Sequence, residues 1–282
     1  MCVSTPIIIG IKTVVDEFRA NTSHVVLLDA GDQFQGTLFF NYYGGNVSAH
    51  AMNVLKYGTK YGHHQLTRLL DAMTIGNHEF DRGIDTLAQF VEMLDFPVIS
   101  ANIKVDDTET MPLYRAGVKP YMILPQYKLG IIGFITNTTA SIVTIGEKIK
   151  QDILDPVTAV QKYVDELHAQ GIHRIICLSH NGYKDDVYLA ENVQGVQLIV
   201  GGHSHSLLLK NQSIKGVEGP YPTQTKSGLD GKPVYIVQAH RYGDYLGHLD
   251  LEWDDKDDLV NIQGDPILLD QFIPKDAVCP LL

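Results

Sequence analysis

Cysteine is scarce in this chain of 282 residues: three occur, at positions 2, 177 and 279. An odd, widely spaced trio makes no disulfide framework, which excludes a small cystine-stapled fold. Cys177 lies in the apolar run Ile175-Ile176-Cys177-Leu178 and reads as a buried small hydrophobe. Basic residues are in deficit: 22 Lys and Arg stand against 33 Asp and Glu, a net charge of −11. That balance excludes a protein held on nucleic acid by a basic surface. Small anionic substrates stay open, because one metal site can reverse the local field. Long hydrophobic runs are missing as well. The longest, residues 7–11, 25–28 and 129–135, fall far short of the roughly 18–20 residues of a membrane span. The start of the chain shows no signal peptide and its end no hydrophobic anchor tail. Internal repeats and low-complexity tracts are absent.

What is present is ordinary globular composition, 44% hydrophobic and 20% charged, in a length suited to one large domain or two modest ones. Short apolar runs alternate with amphipathic stretches. Residues 25–29, 72–75, 97–100, 129–135, 174–179 and 196–200 read as strands. Residues 12–19, 49–55, 85–94 and 157–169 read as helices. Leu87, Phe90, Val91 and Leu94 share one helical face, and so do Val160, Val164 and Leu167. Residues 234–238 and 245–253 look like a late strand pair, and residues 210–232 like an irregular surface loop. Strands alternating with helices predict an α/β fold. Four N-x-S/T sequons, at Asn21, Asn46, Asn137 and Asn211, fit a secreted or cell-surface protein.

Four polar clusters each follow an apolar run: Asp29-Ala30-Gly31-Asp32-Gln33, Gly76-Asn77-His78-Glu79-Phe80-Asp81, Ser179-His180-Asn181-Gly182 and Gly201-Gly202-His203-Ser204-His205. In an α/β sheet, sites assemble at the carboxyl ends of strands. Carboxylate, amide oxygen and several imidazoles suit Zn, Mn, Fe or Co better than Ca. Two cations about 3.5–4 Å apart that clamp a phosphoryl group need a shared anionic ligand. Asp32 could be that bridge, Asn77, His180 and His203 could complete one metal, and His205 could serve the other. One such cluster alone would more often be structural; four at strand ends are not. The other histidines, at 24, 50, 63, 64, 168, 173, 240 and 248, are read as structural.

These residues carry a resemblance. Residues 27–37, Leu-Leu-Asp-Ala-Gly-Asp-Gln-Phe-Gln-Gly-Thr, look like the GDxxQGT segment of the 5′-nucleotidase family of calcineurin-like metallophosphoesterases. Residues 76–81 match its GNHEFD block, residues 201–205 its GGHSH/N/Q block, and residues 238–247 its QAY-x-x-G-x-YLG strand with His240 in place of Tyr. The resemblance implies a four-layer α/β/β/α sandwich holding two divalent metals (Zn, Mn or similar), acting on a nucleotide substrate. Asp32 would bridge the metals, Asn77, His180 and His203 would bind one, and His205 would sit at the other. His78 would contact the phosphate, and Asp81 would orient His78. An alternative role for Asp81 is capping the helix that follows. Asp29 reads as a turn residue and Glu79 as exposed or locally hydrogen-bonded.

Three departures stand beside the match. The family's opening strand ends in Asp-x-His, two ligands of the first metal, and no Asp-x-His precedes Asp32, so the first metal site is expected to be incomplete. The family carries a C-terminal domain that stacks the nucleobase; here the metallophosphoesterase domain is expected over 1–275, with 276–282 starting a linker. Phe34, Tyr42 and Tyr43 are therefore read as core or surface residues, not a base sandwich. Residues 58–70 separate Asp32 from Asn77 more than the family does. They read as a surface-loop insertion or a retained intron, which transcript sequencing separates. The expected function is a 5′-nucleotidase-type hydrolase, with an inactive metal- or nucleotide-binding fragment, or apyrase or UDP-sugar hydrolase specificity, as alternatives.

Overall fold

A computed structural model describes residues 5–22, 24–34, 42, 45–54, 71–104 and 109–270. The 58–70 segment, the tail from 271 onward, Tyr43, His63 and His64 lie outside the described residues. The strands, in chain order, are β1 Leu28–Asp29, β2 Ala72–Thr74, β3 Val98–Ile99, β4 Tyr121–Leu124, β5 Leu129–Ile135, β6 Arg174–His180 and β7 Leu198–Val200. They continue with β8 Leu207–Leu208, β9 Val217–Gly219, β10 Thr223–Lys226, β11 Pro233–Val237, β12 Tyr245–Leu246, β13 Asp250–Trp253, β14 Leu259–Gln263 and β15 Ile267–Leu268.

Two sheets face each other. One is all parallel, in the order β1-β2-β3; the other runs β10-β11-β7-β6-β5-β4, with a parallel centre and antiparallel edges β10 and β4. Period-two alternation explains the layering. On β6, Ile175 and Cys177 pack outward with Val160, Val164 and Leu167 of the helix Pro156–Ala169, while Ile176 and Leu178 join the layer between the sheets. With both faces covered, β5 is buried at all seven positions and reads as one continuous apolar run. On the outer face of the small sheet, Leu87, Phe90 and Val91 of the helix Ile84–Met93 pack with Met73, Ile75 and Val98. The result is helix, sheet, sheet, helix, the expected α/β sandwich, with an apolar layer in each gap.

Several expectations need correcting. The segments 234–238 and 245–253 do not pair with each other. β11 lies between β10 and β7, and the second segment breaks into β12, paired with β15, and β13, paired with β14. Alternation showed that these segments are extended but carried nothing about partners. The 210–232 loop contains two strands, β9 and β10, whose polar residues lie on solvent-facing edges. The first helix runs over Thr5–Asn21, longer than expected, and the strand at 25–29 is regular only over Leu28–Asp29. Phe34 is buried and packs edge-to-face on Phe90, while Tyr42 is exposed.

Candidate metal centre

Both sheets point the carboxyl ends of their parallel strands to the same edge of the sandwich. Asp32 follows β1, Asn77 follows β2, His180 ends β6 and His203 follows β7. Ligand atoms of Asp32, His180 and His203 lie within 4.8 Å of one another. Asn77 joins them: its Oδ1 is 2.9 Å from His203 Nδ1 and 3.2 Å from His180 Nε2. His180 Nε2 is also 3.1 Å from Asp32 Oδ2.

The donor chemistry can be tested for fit to a cation. His180 Nδ1 is 2.6 Å from the Ala30 carbonyl, which can only accept. The Nδ1 proton goes there, so in the neutral ring Nε2 presents a lone pair to the centre. A carboxylate oxygen, an amide oxygen and this bare Nε2 then converge without a proton between them, while His203 Nδ1 faces the same Asn77 oxygen as donor or lone pair according to its tautomer. That arrangement is repulsive unless a positive charge sits among them, as a metal ion or a second proton on His180. The electrostatics agree. Burial alone would raise the Asp32 carboxyl and lower the His180 imidazole. Their mutual hydrogen bond and opposite charges reverse both, holding Asp32 well below the usual carboxylate range and His180 above the usual histidine range. Burial lowers His203 and His205, which keeps them neutral as ligands must be. The residues fit one divalent ion at Asp32, Asn77, His180 and His203. His205, the remaining residue expected from the sequence, is not part of that cluster; it lines the same open cavity of about 1930 Å³ as Asp32 and His203.

The loops carrying these groups are locked from beneath. Glu79 is fully buried, and its carboxylate accepts the backbone N–H groups of Asp32 (2.9 Å), Gln33, Phe34 (3.1 Å) and Gly76 (2.6 Å). Four donors match the four lone-pair sites of an ionised carboxylate. The sequence reading of Glu79 as exposed or locally bonded is therefore corrected. It ties two loops together across 46 residues of chain, and a residue-type pattern holds no sign of that. The loops touch backbone to backbone: a Cβ at Gly31 would stand 2.6 Å from the Gly76 nitrogen. Asp29 is a turn residue, accepting from Gly31 N–H at 2.8 Å and from the Gln33 amide.

His78 donates its backbone N–H to Asp32 Oδ1 (3.0 Å), and its ring Nδ1 lies 2.7 Å from Asp81 Oδ2. Asp81 is not the helix cap: Gly83 occupies that position, with no side-chain capping bond. A further support went unseen in the sequence. Ser179 donates to Asp186 Oδ1 at 2.5 Å, both fully buried, and Asp186 Oδ2 rests without a hydrogen-bond partner against Gly201, where a Cβ would collide with it. Gln238 bonds the Gly202 carbonyl at 3.0 Å and accepts from Ser206 N–H at 2.5 Å. These contacts hold the His180 and His203 loops at one height.

Comparison with known proteins agrees with this picture. The family model for calcineurin-like phosphoesterase matches residues 8–207. A snake venom 5′-nucleotidase from Naja atra is 37% identical over 269 residues, covering 94% of this chain and 48% of that protein. The Homo sapiens 5′-nucleotidase is 38% identical over 272 residues, covering 94% of this chain and 44% of that protein. Among solved structures, a 5′-nucleotidase precursor from Thermus thermophilus superposes with TM-score 0.77 at 36% identity, covering 91% of this chain and 48% of that one. The Haemophilus influenzae NAD nucleotidase superposes with TM-score 0.79 at 28% identity, covering 93% and 44%. The chain spans about half the length of the relatives it matches.

Proposed function

The chain belongs to the calcineurin-like phosphoesterase family, and from that premise we propose that it is the metal-binding, catalytic part of a 5′-nucleotidase-type hydrolase that releases phosphate from nucleotides. The observation that carries the reading is the convergence of Asp32, Asn77, His180 and His203 on one point. These four would hold one divalent ion, Zn or Mn by donor type, and a second would share Asp32 and take His205. When bound, such ions supply Lewis-acid charge at a phosphoryl oxygen and make water acidic enough to react near neutral pH. The chain's own residues do the rest. His78 contacts the phosphate and places a hydrogen-bond donor where negative charge grows. Asp81 accepts from His78 Nδ1–H, which fixes the ring's orientation, and the Nε2–H of the imidazolium form is then the donor that faces the phosphate. Glu79 keeps Asp32 and Asn77 in register by holding the backbone of both loops.

A binding protein without turnover is the second reading, favoured by the second position, where the described residues supply Asp32 and His205 as donors. Metal content per chain, melting temperature with Mn or Zn, and phosphate release from AMP separate the two. Hydrolysis predicts two metals, turnover, and a loss of about 10²-fold in kcat for Asp81→Asn. One bound metal with a raised melting temperature and no turnover supports the binding protein. No metal and no thermal shift would overturn both. We further read the chain as extracellular or cell-surface, because the asparagines of all four sequons are exposed.

A further inference from the structure

The loop after β11 is held in an uncommon backbone. His240 (φ 62°), Tyr242 (φ 59°) and Gly243 (φ 72°) adopt left-handed conformations. The loop is tied at both ends: His240 N–H bonds the Ser206 carbonyl at 3.1 Å, and Asp244 is bonded through Arg241 O at 3.1 Å and Leu269 N–H at 2.8 Å. This fixed turn presents Arg241 and Tyr242 on its outside. Tyr242 is 51% exposed, with its ring 6.0 Å from that of His205. The Arg241 guanidinium lies over the Tyr242 ring, 4.8 Å from its centroid.

Two arginines line the cavity that holds the metal-centre residues. Arg174 is spoken for, bonded to Asp257 at 2.7 Å and to the Tyr127 carbonyl. Arg241 has no carboxylate partner among the described residues, although the chain carries eleven more acidic than basic side chains. An unpaired guanidinium braced on an aromatic ring beside His205 is built to receive an anion. Its planar fork matches two oxygens of a phosphate.

We propose that Arg241, braced on Tyr242, is a specificity-determining contact for a second phosphate of the substrate, next to the one cleaved, favouring nucleoside 5′-diphosphates over monophosphates. This rests on the phosphohydrolase reading above. The group cleaved would sit at the metal centre, and the inner phosphate of a diphosphate would reach the guanidinium. A monophosphate leaves Arg241 without a partner, so binding gains nothing from it.

The test compares kcat/KM for ADP and AMP in wild type, Arg241→Ala and Arg241→Lys. The ADP:AMP ratio should fall about tenfold in Arg241→Ala, through KM, and recover in part in Arg241→Lys, which keeps charge without the fork. An unchanged ratio, or equal loss on both substrates, overturns the assignment. Calorimetric affinities for α,β-methylene-ADP and AMP supply a readout independent of turnover. Arg241→Ala should weaken the diphosphate analogue selectively, by about the same tenfold. If wild type turns over neither nucleotide, the phosphohydrolase reading falls, and the calorimetric ratio alone decides Arg241: equal or absent weakening sinks it.

Discussion

Asp186 is the residue whose surroundings say most about how the centre is held. It is fully buried, one oxygen bonded to Ser179 and the other facing Gly201, and burial pushes its carboxyl up to about 8. The folded protein therefore keeps a proton that the unfolded chain, with an ordinary carboxylate value of about 3.9, has already lost. Stability should fall as pH rises between about 4 and about 8, by up to about 1.4 kcal/mol per pH unit, and lose nothing more from this group above that. Asp186→Asn keeps the shape without the proton. Urea unfolding at about pH 5 and about pH 8 should show a smaller decline for the variant than for wild type. Identical declines would show that Asp186 is ionised throughout. Glu79 teaches the same lesson differently, for it is a carboxylate whose four partners are backbone N–H groups of distant loops. Neither residue could be picked out from its neighbours in sequence.

Among the elements, the helix Pro156–Ala169 is the most fully determined by its own residues. Asp155 precedes it in extended conformation and accepts from Thr158 N–H at 2.8 Å, proline opens its first turn, and Val160, Val164 and Leu167 form its buried stripe. Asp155→Ala should cost about 1 kcal/mol without changing the metal centre, read as a lower urea midpoint with an unchanged m-value. A loss below a few tenths of a kcal/mol would mean that water replaces the cap. The helix Ile84–Met93 has an equally clear stripe and starts one residue from where the sequence placed it, but the alternative role of Asp81 as its cap does not hold. Asp81 looks like a cap by type and distance, but it turns to His78, and Gly83 with φ 85° takes the turn instead. Strand identity was legible wherever both faces are buried, as in β5 and β6. It failed for β9 and β10, which polar composition hid, whereas the segments 234–238 and 245–253 were recognised as extended but given the wrong partners, because alternation is silent about which strand pairs with which.

At the scale of the whole molecule, surface chemistry follows composition. The net charge of −11 gives the molecule an acidic balance overall. No helix among the described residues is long and apolar enough to cross a membrane. The four sequon asparagines, Asn21, Asn46, Asn137 and Asn211, are all exposed. Expressed through a secretory pathway, the protein should lose mass on treatment with an N-glycosidase. Protein that passes that pathway without any glycosidase-sensitive mass would count against the extracellular reading.

By itself, the sequence determined the α/β class, the buried central strands, and the residue types and order of the four polar clusters. All of these are local properties: periodicity, run length, and side chains that follow a strand in the chain. Only the tertiary structure decided that two separate sheets face each other so that Asp32, Asn77, His180 and His203 meet, although 45 residues separate the first two and 103 the next. The same holds for the burial of Glu79 and Asp186 beneath them and for Arg241 beside His205. Convergence depends on sheet packing and on hydrogen bonds between distant segments. Their cost in loop-closure entropy is offset by shared burial, which no window of neighbouring residues records.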